Sequence, residues 1–135
     1  MFRISRKVDY AIHLMASLSE QPMGKLKSTA SLSKELEIPL PFLHQIAHTL
    51  MQHGLLQAVP GPTGGLGLKK KSMDISIFDI VFAVEGDIKL APCKDNAEPC
   101  PRENHCFTHP LWESMQDEMI QKLKLLSLDS LHPEI

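Results

Sequence analysis

Apolar residues recur at helical spacing through the first twenty positions. Ile4, Val8, Ala11, Ile12, Met15 and Leu18 stand three or four apart, which predicts an amphipathic helix over residues 3–20. Residues 21–27, with Pro22 and Gly24, break that pattern as a turn. Ser28 or Thr29 can cap a short second helix whose apolar positions are Ala30, Leu32 and Leu36. Pro39 and Pro41 sit in the first turn of a third helix. That turn tolerates proline because its amides have no intrahelical partners. Leu43, Ile46, Ala47, Leu50 and Met51 form the buried stripe of this helix, and Gly54 stops it.

The period then changes. Residues 55–59 are a short β-capable run, 60–65 (Pro-Gly-Pro-Thr-Gly-Gly) a hairpin tip, and 66–71 a returning strand that ends in three lysines. Ser76 can cap a fourth helix with Ile77, Ile80, Val81 and Val84 inward. Farther along, Leu111, Met115, Met119, Leu123 and Leu126 make a stripe at spacings of four, four, four and three. Helix, turn, helix and Gly-rich hairpin, in that order, predict a mainly α chain with a winged helix-turn-helix domain at 1–85. A loop at 86–109 follows, then a helix and tail at 110–135. The stripe is too long and apolar for a solvated tail, and the winged domain is too small to cover it. It therefore predicts a dimerisation helix with those five residues at the interface of a homodimer.

Charge divides the chain. Residues 1–71 carry nine Lys/Arg against four Asp/Glu, a balance of +5; residues 72–135 carry five against twelve, a balance of −7. A basic N-terminal half attracts a polyanion. The third helix adds His44, Gln45, His48, Thr49 and Gln52 on its polar face, side chains of a length that reaches base edges. No apolar run approaches the roughly 18 residues of a membrane span, so the expected location is the cytoplasm, with no membrane partner. Nothing resembles a nucleophile elbow or a trusted carboxylate pair, and the Gly-rich hairpin lacks the Lys-Ser/Thr ending of a phosphate loop. An enzyme is not expected.

The candidate chemistry is concentrated in one stretch. Cys93, Cys100 and Cys106 are the chain's three cysteines, separated by six and five residues, with His109 three positions after Cys106. Thiolate and imidazole are ligands for soft and borderline metals. The surrounding residues 91–109 are rich in Pro, Asp, Glu and Asn, with too few apolar side chains to form core. In the cytoplasm clustered cysteines read as metal or redox ligands before disulfides, and an odd count disfavours complete pairing. An iron–sulfur cluster fits three thiolates, with histidine able to serve at an iron. Zinc would accept the same set, although paired C-x-x-C knuckles are absent. The rival function class is a zinc- or cluster-bearing assembly or interaction protein that does not bind specific DNA.

Several segments resemble one family. They are the opening Arg3-Ile4-Ser5-Arg6-Lys7-Val8-Asp9-Tyr10-Ala11, then Pro41-Phe42-Leu43-His44-Gln45 with Gly54-Leu55, and Gly61-Pro62-Thr63-Gly64-Gly65. Cys106-Phe107-Thr108-His109-Pro110-Leu111-Trp112 and Ser127-Leu128-Asp129-Ser130-Leu131 complete the set. Together they resemble the winged-helix iron–sulfur regulators of the IscR and NsrR type, the Rrf-two family, over nearly the whole chain. The resemblance implies a homodimer paired through the long C-terminal helix and reading a pseudo-palindromic operator. It implies a repressor-type transcriptional regulator in which the three cysteines hold a 2Fe–2S or 4Fe–4S cluster. Cluster supply, iron, redox state and nitric oxide are all compatible signals. His109 matches a histidine ligand of the family. Asp9 matches a carboxylate that some members supply from the partner's first helix, and His13 lies one turn on; these two are rival fourth ligands. The implied DNA contacts are Arg3, Ser28, Pro41, His44, Gln45, His48, Thr63 and Gly64, with Lys69, Lys70 and Lys71 on phosphates behind the wing. Three departures stand out. The first cysteine gap is one residue longer than usual, Pro60 replaces a minor-groove arginine, and His44 replaces a glutamate that discriminates operators.

Overall fold

Ser5 starts the first helix: its hydroxyl accepts the Val8 amide at 3.2 Å, and α1 runs Arg6–Ser19. The computed structural model describes residues 3–91 and 106–131. Ile4 precedes the helix and is exposed, while Val8, Ala11, Leu14, Met15 and Leu18 form its buried face. Ser28 caps α2 (Thr29–Leu36) by accepting the Ser31 amide at 3.1 Å. Pro39 is the N-cap of α3 (Leu40–Gln52), one step outside the first turn, and Pro41 lies within that turn. Leu43, Ile46, Ala47 and Leu50 of α3 are buried against α1. Gly54 follows at φ +74°, a left-handed conformation that glycine adopts without a Cβ penalty.

The wing is an antiparallel pair, β1 (Leu56–Val59) with β2 (Gly65–Leu68), in register from Leu56 opposite Leu68 to Val59 opposite Gly65. β2 ends at Leu68, short of the strand expected over 66–71. The last ladder-like bond, Lys69 N–H to Leu55 O at 3.1 Å, closes the pairing. The chain then turns into a 3-10 helix at Ser72–Asp74, so the three lysines lie beyond the strand. The tip is sterically dictated. A Cβ on Gly64 would stand 1.9 Å from the Val59 carbonyl oxygen, and one on Gly65 2.2 Å from that of Lys27. Only glycine lets the wing fold this tightly.

Lys27 holds the wing to the helices. Its backbone pairs with Leu66 in both directions, at 2.9 and 2.8 Å. Its ammonium donates to Ser17 Oγ of α1 at 2.9 Å and to both Glu35 oxygens of α2 at 3.2 Å.

Ser76 caps α4 (Ile77–Glu85) through a capping box, its Oγ accepting the Asp79 amide at 3.0 Å and its amide donating to the Asp79 carboxylate at 3.0 Å. The long helix is α5 (His109–Leu125), packed on α4. Beyond it the chain returns to the winged domain. Ile77 N–H donates to Leu126 O and Leu128 N–H to Ile75 O, both at 2.8 Å, and Leu128 is fully buried in the common core. Leu128→Ala should therefore destabilise the N-terminal domain as much as a central core deletion, by roughly 2–5 kcal/mol. Urea unfolding followed by far-UV circular dichroism checks this; a change under about 1 kcal/mol would mean that the tail is not part of the core.

Candidate functional site

Packing assigns the faces of α3. Its apolar stripe is spent on the core, so His44, Gln45, His48 and Gln52 are left exposed, with Pro41 exposed in the first turn. Thr49 is half-buried, and its hydroxyl donates to the Gln45 carbonyl at 3.1 Å. Thr63 is exposed at the wing tip, Gly64 half-buried beneath it, and Lys69, Lys70 and Lys71 are exposed beyond β2. Arg3 and Ser28 are exposed at the starts of α1 and α2. A helix presenting amide and imidazole groups beside a Gly-rich hairpin with trailing lysines has the parts of a duplex-reading surface. Hydrogen-bonding groups suit base edges, and cations suit phosphates. One of the basic half's cations is withdrawn from such a surface: the Lys27 side chain is 17% exposed and bound to Glu35. Charge counting cannot detect that use.

The second candidate site lies at the head of α5. Cys106 is half-buried, and its sulfur accepts the His109 amide at 3.3 Å and lies 3.4 Å from Thr108 Oγ1. His109 is the first residue of α5, so its amide is among those that a helix leaves without an intrahelical acceptor. An amide donor directed at sulfur favours negative charge there, as metal ligation by a thiolate requires. His109 Nε2 is 3.5 Å from Glu113 Oε2, one turn on. Sequence reading missed Glu113, although its i,i+4 spacing from His109 is the signal that places it. A carboxylate on one ring nitrogen is the arrangement that orients a ligating histidine.

Cys93 and Cys100 lie outside the described residues. The described residues before and after their segment both bond to α5. Leu90 N–H donates to Gln116 Oε1 on the second turn of α5 at 3.0 Å, and Cys106 is bonded to its first residue. Among the described residues, no group of three His, Cys, Asp or Glu side chains gathers as for a metal ion. The rival ligands Asp9 and His13 face each other on α1, Oδ1 to Nε2 at 3.6 Å, both well exposed. The donor chemistry at Cys106 and His109, one sulfur and one imidazole at a shared helix end, fits an iron–sulfur group.

The α5 stripe divides. Leu123 and Leu126 pack against the chain's own core. Leu111 and Met115 are 51% and 41% exposed, and Met119 is half-buried. No described helix is long and apolar enough to cross a membrane.

Comparison with known proteins agrees with this architecture. The family model described as "Rrf2: Iron-dependent Transcriptional regulator" matches residues 4–134. The regulator IscR of Photorhabdus laumondii is 30% identical over 129 residues, which span 96% of this chain and 78% of the relative. IscR of Escherichia coli is 27% identical over 96% of this chain and 79% of its own length. Among solved structures, CymR of B. subtilis, the global cysteine regulator, superposes with a TM-score of 0.77 at 26% identity, covering 96% of this chain and 95% of that one. IscR of T. potens superposes at 0.76 with 21% identity, over 99% and 94%, a likeness that speaks to the fold. The match of the family model to almost the full length, on a winged helix-turn-helix fold, places the chain in the Rrf2 family of iron-dependent transcriptional regulators, and its relatives are regulators, not enzymes.

Proposed function

We propose that the chain is a homodimeric repressor whose affinity for a DNA operator is set by an iron–sulfur cluster held by Cys93, Cys100, Cys106 and His109. One observation carries the reading: both flanks of the cysteine segment, Leu90 and Cys106, are hydrogen-bonded to the first two turns of α5. The same helix packs on α4, which packs on the recognition helix α3. When bound, the cluster supplies a redox- and supply-sensitive group whose presence differs between conditions. This chain's own residues do the rest. The Cys106 thiolate is held by the His109 amide, and Glu113 orients the imidazole of His109. The Asp9–His13 pair is the rival source of a fourth ligand from a partner's α1.

On DNA, residues of α3 enter the major groove and the wing lies along the backbone. Gln45 and His44 read base edges, while Lys69, Lys70 and Lys71 neutralise phosphates. Cluster binding shifts the dimer between two arrangements by no more than its differential affinity for them.

The two roles separate by experiment. His44→Ala and Gln45→Ala should each weaken binding to a selected operator by roughly 1–3 kcal/mol and leave binding to random duplex unchanged. Replacing Lys69 to Lys71 should weaken binding to all sequences alike and flatten the dependence on salt. Fluorescence anisotropy against both duplexes at several salt concentrations reads both effects. Equal losses on both duplexes for the His44 and Gln45 variants would remove these residues from base readout.

A further inference from the structure

The first turn of α3 carries an apolar residue that the core does not use. Leu43, Ile46, Ala47 and Leu50 supply the buried stripe, and Met51 packs against the core from its edge. Phe42 does neither. It is 53% exposed and, among the described residues, is not one of the partly buried hydrophobics packed on the core. It sits three residues before Gln45, so the two side chains are neighbours on one side of the helix. Solvating an aromatic ring here yields no folding benefit, and the ring is rigid enough to place a contact precisely.

We propose that Phe42 is a specificity-determining residue that reads the C5 methyl group of a thymine in the major groove. The inference rests on the DNA-binding reading above and adds a chemical class of base to it. The thymine methyl is the apolar feature of the major-groove edge, and side chains such as Phe recognise it by contact instead of hydrogen bonding. Gln45 beside it suits the N6/N7 edge of adenine. The two together call for an operator half-site with a thymine next to, or one step from, an adenine read by Gln45.

The test starts with duplexes selected from a random pool by the anaerobically purified protein. Each thymine of the selected half-site is then replaced by uracil, which pairs identically and lacks only the methyl group. One such replacement should weaken wild-type binding about fourfold, the worth of one buried methyl-sized group (about 0.8 kcal/mol). Phe42→Ala should weaken binding to the thymine duplex by about fourfold or more and should no longer distinguish thymine from uracil at that position. Phe42→Leu should recover part of the discrimination. Because Phe42 is exposed, the melting temperature and sedimentation of both variants should match the wild type. The proposal is overturned if no uracil replacement affects the wild type, or if the uracil penalty persists in Phe42→Ala. It is overturned as well if Phe42→Ala alters the oligomeric state, since the ring would then belong to a protein interface. Failure to enrich any duplex would reject the DNA-binding reading itself, and this proposal with it.

Discussion

Cys106→Ser is expected to abolish cluster binding while leaving the fold intact. The sequence holds three cysteines, so no fourth thiol can substitute for a lost ligand. A serine hydroxyl remains protonated at neutral pH and is a poor match for an iron–sulfide core that thiolates satisfy. The same hydroxyl can still accept the His109 amide that the Cys106 sulfur accepts now, because serine is a strong acceptor at helix starts. The head of α5 should therefore survive the substitution, and circular dichroism and melting should change little. Iron and acid-labile sulfide per monomer, measured after anaerobic purification, should fall to near zero. Cys93→Ser and Cys100→Ser are expected to do the same. His109→Ala should leave a labile cluster if His109 is the fourth ligand and a normal one if Asp9 is. A Cys106→Ser protein with full iron content and an unchanged visible spectrum would remove Cys106 from the ligand set.

Met115→Glu combined with Met119→Glu should convert the proposed dimer into a monomer. No residue of α5 is buried within one chain. Of the expected stripe, Leu111 and Met115 with part of Met119 are left uncovered, on the half of the helix nearer the cysteines; off the stripe, Leu125 is 85% exposed at the far end. A two-fold interface through this face would bury both copies of each substituted carboxylate. Burying such charges unpaired costs several kcal/mol per ion, so dimer affinity should fall by roughly 100-fold or more. Sedimentation at micromolar concentration reads the change directly. Operator affinity should fall in parallel, because one winged domain alone reads one half-site. A double variant that remains dimeric would place the interface elsewhere and leave α5 as a strut within one chain.

Much of this fold is legible in the sequence because its punctuation is local. Ser28 and Ser76 mark helix starts through bonds that span three residues, and Gly64 and Gly65 mark the wing because a side chain there would strike backbone. Most of the buried faces of α1, α3 and α4 follow from apolar spacing, but Ile4 falls outside α1 and is exposed, and the buried Leu14 and Ala83 stand off the expected stripes. What spacing cannot supply is the identity of the covering surface. Of the expected five-residue stripe, Leu126 lies just past the end of α5; it and Leu123 are covered by their own chain, while Leu111 and Met115 are not. Leu128 belongs to a segment too short to show a period, and its place in the core is fixed by contacts such as that with Ile75, 53 positions earlier. Pro39 stops one step short of α3, since two prolines in close succession offer two possible starts and only the chain's path selects between them. At the candidate centre, the ligand types and the His109–Glu113 spacing are legible. The Leu90–Gln116 bond, which brings the entry of the cysteine segment to α5, is not, because it joins residues far apart in the chain.

Operator affinity with and without the cluster is the measurement closest to the central claim. Protein purified anaerobically should be coloured, with iron and sulfide in stoichiometric amounts per monomer and no matching zinc. Its affinity for a selected duplex, compared with that of the same protein after removal of the iron, should differ by about 5- to 150-fold, the range of a coupling between two sites. Equal affinity in the two forms would contradict the account, and a colourless protein carrying zinc in place of iron would contradict it outright.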